Sequence, residues 1–84
     1  MTNSDNFIFF EIQHIFQQVF KNKLLEIARD TNADDIDHWD SLTHMELIDA
    51  IEKKFNVKFL FKEILSFSNV GDIMDCIKVK SPAI

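Results

Sequence analysis

Eighty-four residues with one glycine, one proline and no tyrosine allow one small domain, and a composition 46% hydrophobic and 27% charged excludes a disordered tail. The formal net charge is −5, and the acids cluster: no Lys or Arg lies between Arg29 and Lys53, an interval holding more than half of the fourteen acids. A field of that sign repels nucleic acid and anionic lipid and attracts proteins with basic patches.

The chain reads as four helices and no strands, in a single domain over residues 1–84. The first helix is predicted from about residue 5 to 20, with Ser4 or Asp5 as its cap. Ile8, Ile12, Ile15, Phe16 and Val19 recur at i, i+4, i+7, i+8 and i+11, which builds one apolar face. Phe7 and Phe10 fall off that stripe. Residues 21–40 then form a connection longer than ordinary loops, and such connections are functional or contain short structure. Leu24, Leu25 and Ile27 offer it apolar anchors, and Ile36 and Trp39 pin its far end to the core.

The second helix is predicted over 41–56. Leu47, Ile48, Ile51 and Phe55 share one face. At about 100° per residue, Leu42 points the other way, with Glu46, Asp49 and Lys53, and Met45 lies on the flank. Either Asp40 or Ser41 can cap this helix, and Thr43 and Glu46 have the spacing of a capping box. A short third helix is expected over 62–67. The fourth, over 70–79, begins after Ser68 or Asn69 and carries Val70, Ile73, Met74 and Ile77 at i, i+3, i+4 and i+7. Its lone cysteine, Cys76, reads as a buried, inert thiol. With one cysteine, no signal peptide and no long apolar run, the sequence points to a reducing, cytoplasmic location. The tail KVKSPAI reads as frayed. The architecture is all-α, a four-helix bundle with a long first loop and a short third helix.

No enzymatic constellation stands out. There is no His-Glu-x-x-His, no glycine-rich phosphate loop and no cysteine pair. His14, His38 and His44 match no metal-ligand spacing. Ser41 beside His38 or His44 suggests a nucleophile and base, but a catalytic serine also needs an oxyanion hole and a substrate pocket. The position of Ser41 suits a tether instead. A side chain at a helix N-terminus is exposed and faces free N–H groups and the positive end of the helix dipole, which tolerates a phosphodiester.

Taken together, Asp40-Ser41-Leu42, the following MELIDAIEKKFNVKF and the later NVGDIMDCI resemble the acyl carrier protein family, over roughly Ile36 to Ile77. Asp-Ser-Leu alone is a common tripeptide. At the start of an acidic amphipathic helix, with a Glu-x-x-Phe end and a Val-x-x-Ile last helix, it is specific. The resemblance implies that Ser41 carries 4′-phosphopantetheine, transferred from coenzyme A by a separate phosphopantetheinyl transferase with magnesium. The arm's thiol would hold acyl or aminoacyl groups as thioesters for successive enzymes, and the chain itself would catalyse nothing. Asp40, Leu42, Met45, Glu46, Asp49 and Glu52 would form the docking face for enzymes with basic patches. The chain would be a monomer, with no nucleic acid partner and no membrane insertion. It departs from the family pattern at Lys53 and Lys54, where fatty-acid carriers have acids, and at Leu60-Phe61, where Pro-Asp is usual. These departures point to a specialised stand-alone carrier. The competing class is an unmodified acidic helical adaptor, which would not need the Ser41 hydroxyl.

Overall fold

The computed structural model describes residues 2–81, with side chains from residue 5. Four helices follow in order: α1 (Thr2–Val19), α2 (Ser41–Phe55), α3 (Phe61–Ser66) and α4 (Val70–Lys80). α1 is already helical at Thr2, so Asp5 sits inside its first turn and is not its cap; the side chain of Ser4 lies outside the described residues. α3 starts one residue earlier than expected, and α4 runs one further. Ser81 ends it with an N–H donated to the Ile77 carbonyl. The rest of the tail, residues 82–84, lies outside the description.

The periodic stripes meet in one core. Ile8, Ile12 and Phe16 of α1, Leu47, Ile48 and Ile51 of α2, and Val70, Ile73 and Ile77 of α4 are almost wholly buried. Val19 packs against this core only in part. Ion pairs and ring contacts between helices give the directions. Lys54 near the end of α2 reaches Glu11 of α1 (3.2 Å), and Phe55 meets Phe7 edge-on. At the other end, Trp39 just before α2 packs edge-on against Phe16 at 5.2 Å between ring centres. Lys78 near the end of α4 lies 2.7 Å from Asp5, near the start of α1. So α1 runs antiparallel to both α2 and α4. Asp5 Oδ1 is shut off from water, and the Lys78 ammonium holds its carboxyl below the ordinary value.

The long connection contains turns but no helix. It is held mostly by main-chain bonds. Gln13 of α1 accepts the Ile27 N–H at 2.9 Å, and Gln17 donates to the Leu25 carbonyl at 3.0 Å. The Val70 and Gly71 N–H groups at the start of α4 donate to the carbonyls of Thr31 (3.0 Å) and Arg29 (2.7 Å). Asn69 caps the same turn by accepting from the Asp72 N–H. Ile27 and Ile36 are buried as anchors, whereas Leu24 is 88% exposed and anchors nothing. The Leu24 N–H donates to the Asn22 side-chain oxygen at 3.0 Å.

Candidate functional site

Three residues bring the connection into α2. His38 adopts φ 71°, the left-handed region, which His enters more readily than most residues. That twist turns Trp39 inward and leaves Asp40 in extended backbone at the N-cap. Asp40 Oδ1 accepts the N–H groups of Leu42 (3.0 Å) and Thr43 (3.1 Å). Thr43 Oγ1 accepts the Asp40 N–H at 2.8 Å and donates to the His38 carbonyl at 2.6 Å. The cap is therefore Asp40, and the capping box pairs Asp40 with Thr43, not Thr43 with Glu46. The amides that Asp40 accepts, Thr43 first, hold its carboxyl below the ordinary 3.8.

Ser41 is then the first helical residue, exposed, and its hydroxyl takes no part in the hydrogen bonds among the described residues. It opens onto a cleft of about 280 Å³, lined by Trp39, Asp40 and His44 on one side and by Ile64, Leu65 and Phe67 on the other. The residues present fit a phosphate-linked arm. The hydroxyl is free, the helix N-terminus lies beneath it, and an open cleft adjoins it.

The expected docking residues fall into two groups. Leu42 is 70% exposed and Met45 44%, with Asp40, Glu46 and Asp49 exposed beside them on α2. Asp49 shares its charge with Lys53 at 3.1 Å. Glu52 departs from expectation. Its side chain is only 16% exposed and accepts the Phe59 N–H at 2.9 Å, so it chiefly secures the connection into α3. Sequence reasoning missed the outer face of α3, where Phe61 and Leu65, four residues apart around buried Ile64, are both about two-thirds exposed. The i, i+4 spacing was the available signal.

His44 has a structural role. His44 Nδ1 lies 3.1 Å from the Trp39 indole nitrogen, and its Nε2 lies 3.1 Å from the Ile64 carbonyl. The indole can only donate, so Nδ1 accepts, and the ring proton sits on Nε2 and is given to Ile64. Both nitrogens are in use. Among the described residues no three His, Cys, Asp or Glu side chains gather as a metal site. Cys76 is half-buried, and burial raises its thiol above the ordinary value.

An acidic four-helix bundle that offers an unengaged serine at a helix N-terminus, beside an open cleft, has a place for a covalently attached arm. Residues 11–77 match the phosphopantetheine attachment site family. The structure is also similar to the solution structure of holo acyl carrier protein from Geobacter metallireducens, with 40% sequence identity, a TM-score of 0.80, and coverage of 87% of this chain and 84% of that one. No match is found among curated proteins. The chain belongs to the acyl carrier protein family. It is a carrier with covalently attached 4′-phosphopantetheine, not an enzyme, and the unmodified adaptor is not favoured. Among the described residues no helix is long and apolar enough to cross a membrane.

Proposed function

We propose that Ser41 is the attachment residue and that its exposed, unengaged hydroxyl at the start of α2 is what a phosphopantetheinyl transferase modifies. That one observation carries the reading: Asp40 does the capping, so Ser41 is free to carry the arm. The serine oxygen attacks the pyrophosphate of coenzyme A: a P–O–P bond breaks, adenosine 3′,5′-bisphosphate leaves, the serine proton goes to a base of the transferase, and the serine oxygen becomes one ester of the phosphodiester. Asp40, Leu42, Met45, Glu46 and Asp49 form the docking face, with Glu52 at its rim. The face suits loading and transfer enzymes with basic patches around an apolar socket for Leu42 and Met45. The protein works in this reading as a cytoplasmic monomer.

The test is the intact mass before and after incubation with coenzyme A, magnesium and a broad-specificity transferase. The expected result is a gain of one phosphopantetheine, mapped to Ser41. Ser41→Ala should show no gain while keeping the parent's circular dichroism spectrum, because the cap is untouched. A gain in Ser41→Ala would move the attachment elsewhere.

A further inference from the structure

The wall of the Ser41 cleft is closed by a bridge that spans three elements. Trp39 comes from the connection, His44 from α2 and the Ile64 carbonyl from α3, and the His44 ring joins the other two with a 3.1 Å bond on each side. Ile64 lies in the last turn of a six-residue helix, where carbonyls have no partner within the helix. His44 supplies that partner. The bridge is also backed by rings. Phe16 stands edge-on to Trp39, Phe67 lies 6.5 Å from His44, and Phe59 lies edge-on to Phe67 at 5.4 Å. The aliphatic centre behind it, Leu47, Ile48 and Ile51, is 0–1% exposed and does not line the cleft.

A chain passing from Ser41 through this wall toward that centre parts the bridge. Parting it strands a buried-side indole N–H and a helix-end carbonyl, and it unstacks the rings. An apolar chain that cannot enter stays in water, at a cost that grows with every methylene. We propose that the Trp39–His44–Ile64 bridge is a latch that keeps cargo out of the core. The carrier's cargo is then a short or polar acyl group held in the open cleft or in solvent, not a long fatty chain sheltered inside. The proposal rests on Ser41 bearing the arm.

The experiment loads the apo protein with acetyl-, butyryl- and octanoyl-phosphopantetheine from the matching coenzyme A thioesters, and intact mass verifies each form. Methyl spectra of Ile48 and Ile51, which lie behind the latch and do not line the cleft, and the melting midpoint are then compared with the holo form. All three acyl forms of the parent should match holo protein in both. In His44→Ala, and in Trp39→Phe, which removes the N–H but keeps a ring, the octanoyl form alone should shift the Ile48 and Ile51 methyls. It should also melt about 4 °C or more above the holo form of the same variant. Comparison within each variant cancels any loss of stability, and Trp39→Phe serves should His44→Ala not fold. Octanoyl-dependent shifts in the loaded parent overturn the latch and leave the attachment reading standing. Variants whose octanoyl forms match holo protein also overturn it. A parent that gains no mass overturns the attachment reading and the latch with it.

Discussion

At the start of α2, adjacent residues divide the work. Asp40 satisfies two N–H groups of the first turn, which leaves the Ser41 hydroxyl with nothing structural to do. Asp40→Ala should therefore lower the melting midpoint by about 4–8 °C at neutral pH, the size a lost N-cap produces in a domain of this length. The effect should depend on pH in one direction. The folded Asp40 carboxyl titrates below its ordinary 3.8, so its contribution is fully present above 3.8 and is lost as pH falls through the lowered value. Parent and variant should converge in strong acid, as thermal melts across the range will show. A gap that stays constant into strong acid would mean that the charged carboxylate is not the cap. The serine, the acid and the exposed leucine were legible as residue types at a given spacing. Which of Asp40 and Ser41 caps was not, because both side chains can reach the same amides and only the backbone of His38 and Trp39 chooses between them. The role of His44 was equally hidden, since its two partners come from other elements.

Among the elements, the helices were readable and the connection was not. Apolar spacing placed α1, α2 and α4 because burying a stripe is what stabilises them, and their faces are buried as expected. The connection is pinned by carbonyls and amides, which every residue has, so its path leaves little mark on the sequence. One mark exists. Gly71, the only glycine in the chain, lies where the start of α4 touches the backbone of Arg29. A Cβ there would sit 3.1 Å from the Arg29 carbonyl oxygen and 3.1 Å from its guanidinium. The guanidinium can swing away, although it pairs with Asp75 at 3.0 Å. The carbonyl is fixed, because it accepts the Gly71 N–H at 2.7 Å. Gly71→Ala gains about 1 kcal/mol in helix propensity and loses about 1–3 kcal/mol to crowding. With the carbonyl fixed, we expect a net loss of about 1 kcal/mol, measured by urea unfolding. A variant more stable than the parent would show that the connection can back away from α4.

The whole molecule concentrates its charge by where it spends its cations. Lys54, Lys78 and Lys80 pair with Glu11, Asp5 and Glu63, Lys53 and Lys58 with Asp49 and Glu52, and Arg29 with Asp75. The more exposed of these pairs, Arg29–Asp75 and Lys53–Asp49, add little stability, but all six neutralise acids away from the start of α2. Glu26, Asp30, Asp34, Asp35, Asp37, Asp40, Glu46 and Asp72 have no ion pair among the described residues, and five of them, Asp34 to Glu46, flank Ser41 along the chain, so much of the uncancelled field lies there. Such a field speeds the approach of a basic partner, and salt screens it over about 10 Å at 0.1 M. Glu46→Lys reverses one charge at its middle, on an exposed position with no hydrogen-bonded role in the described structure. The variant should fold as the parent does. Its loading by a transferase at low substrate should be slower by about 10-fold or more at low salt, in line with the range for electrostatic steering. The gap should narrow as salt rises, and the variant's own rate should fall less steeply with salt than the parent's. Rates of loading measured against ionic strength for both proteins decide it. Parallel salt curves would mean that the transferase is drawn by contacts with Leu42, Met45 and the face of α3 and not by the acidic field.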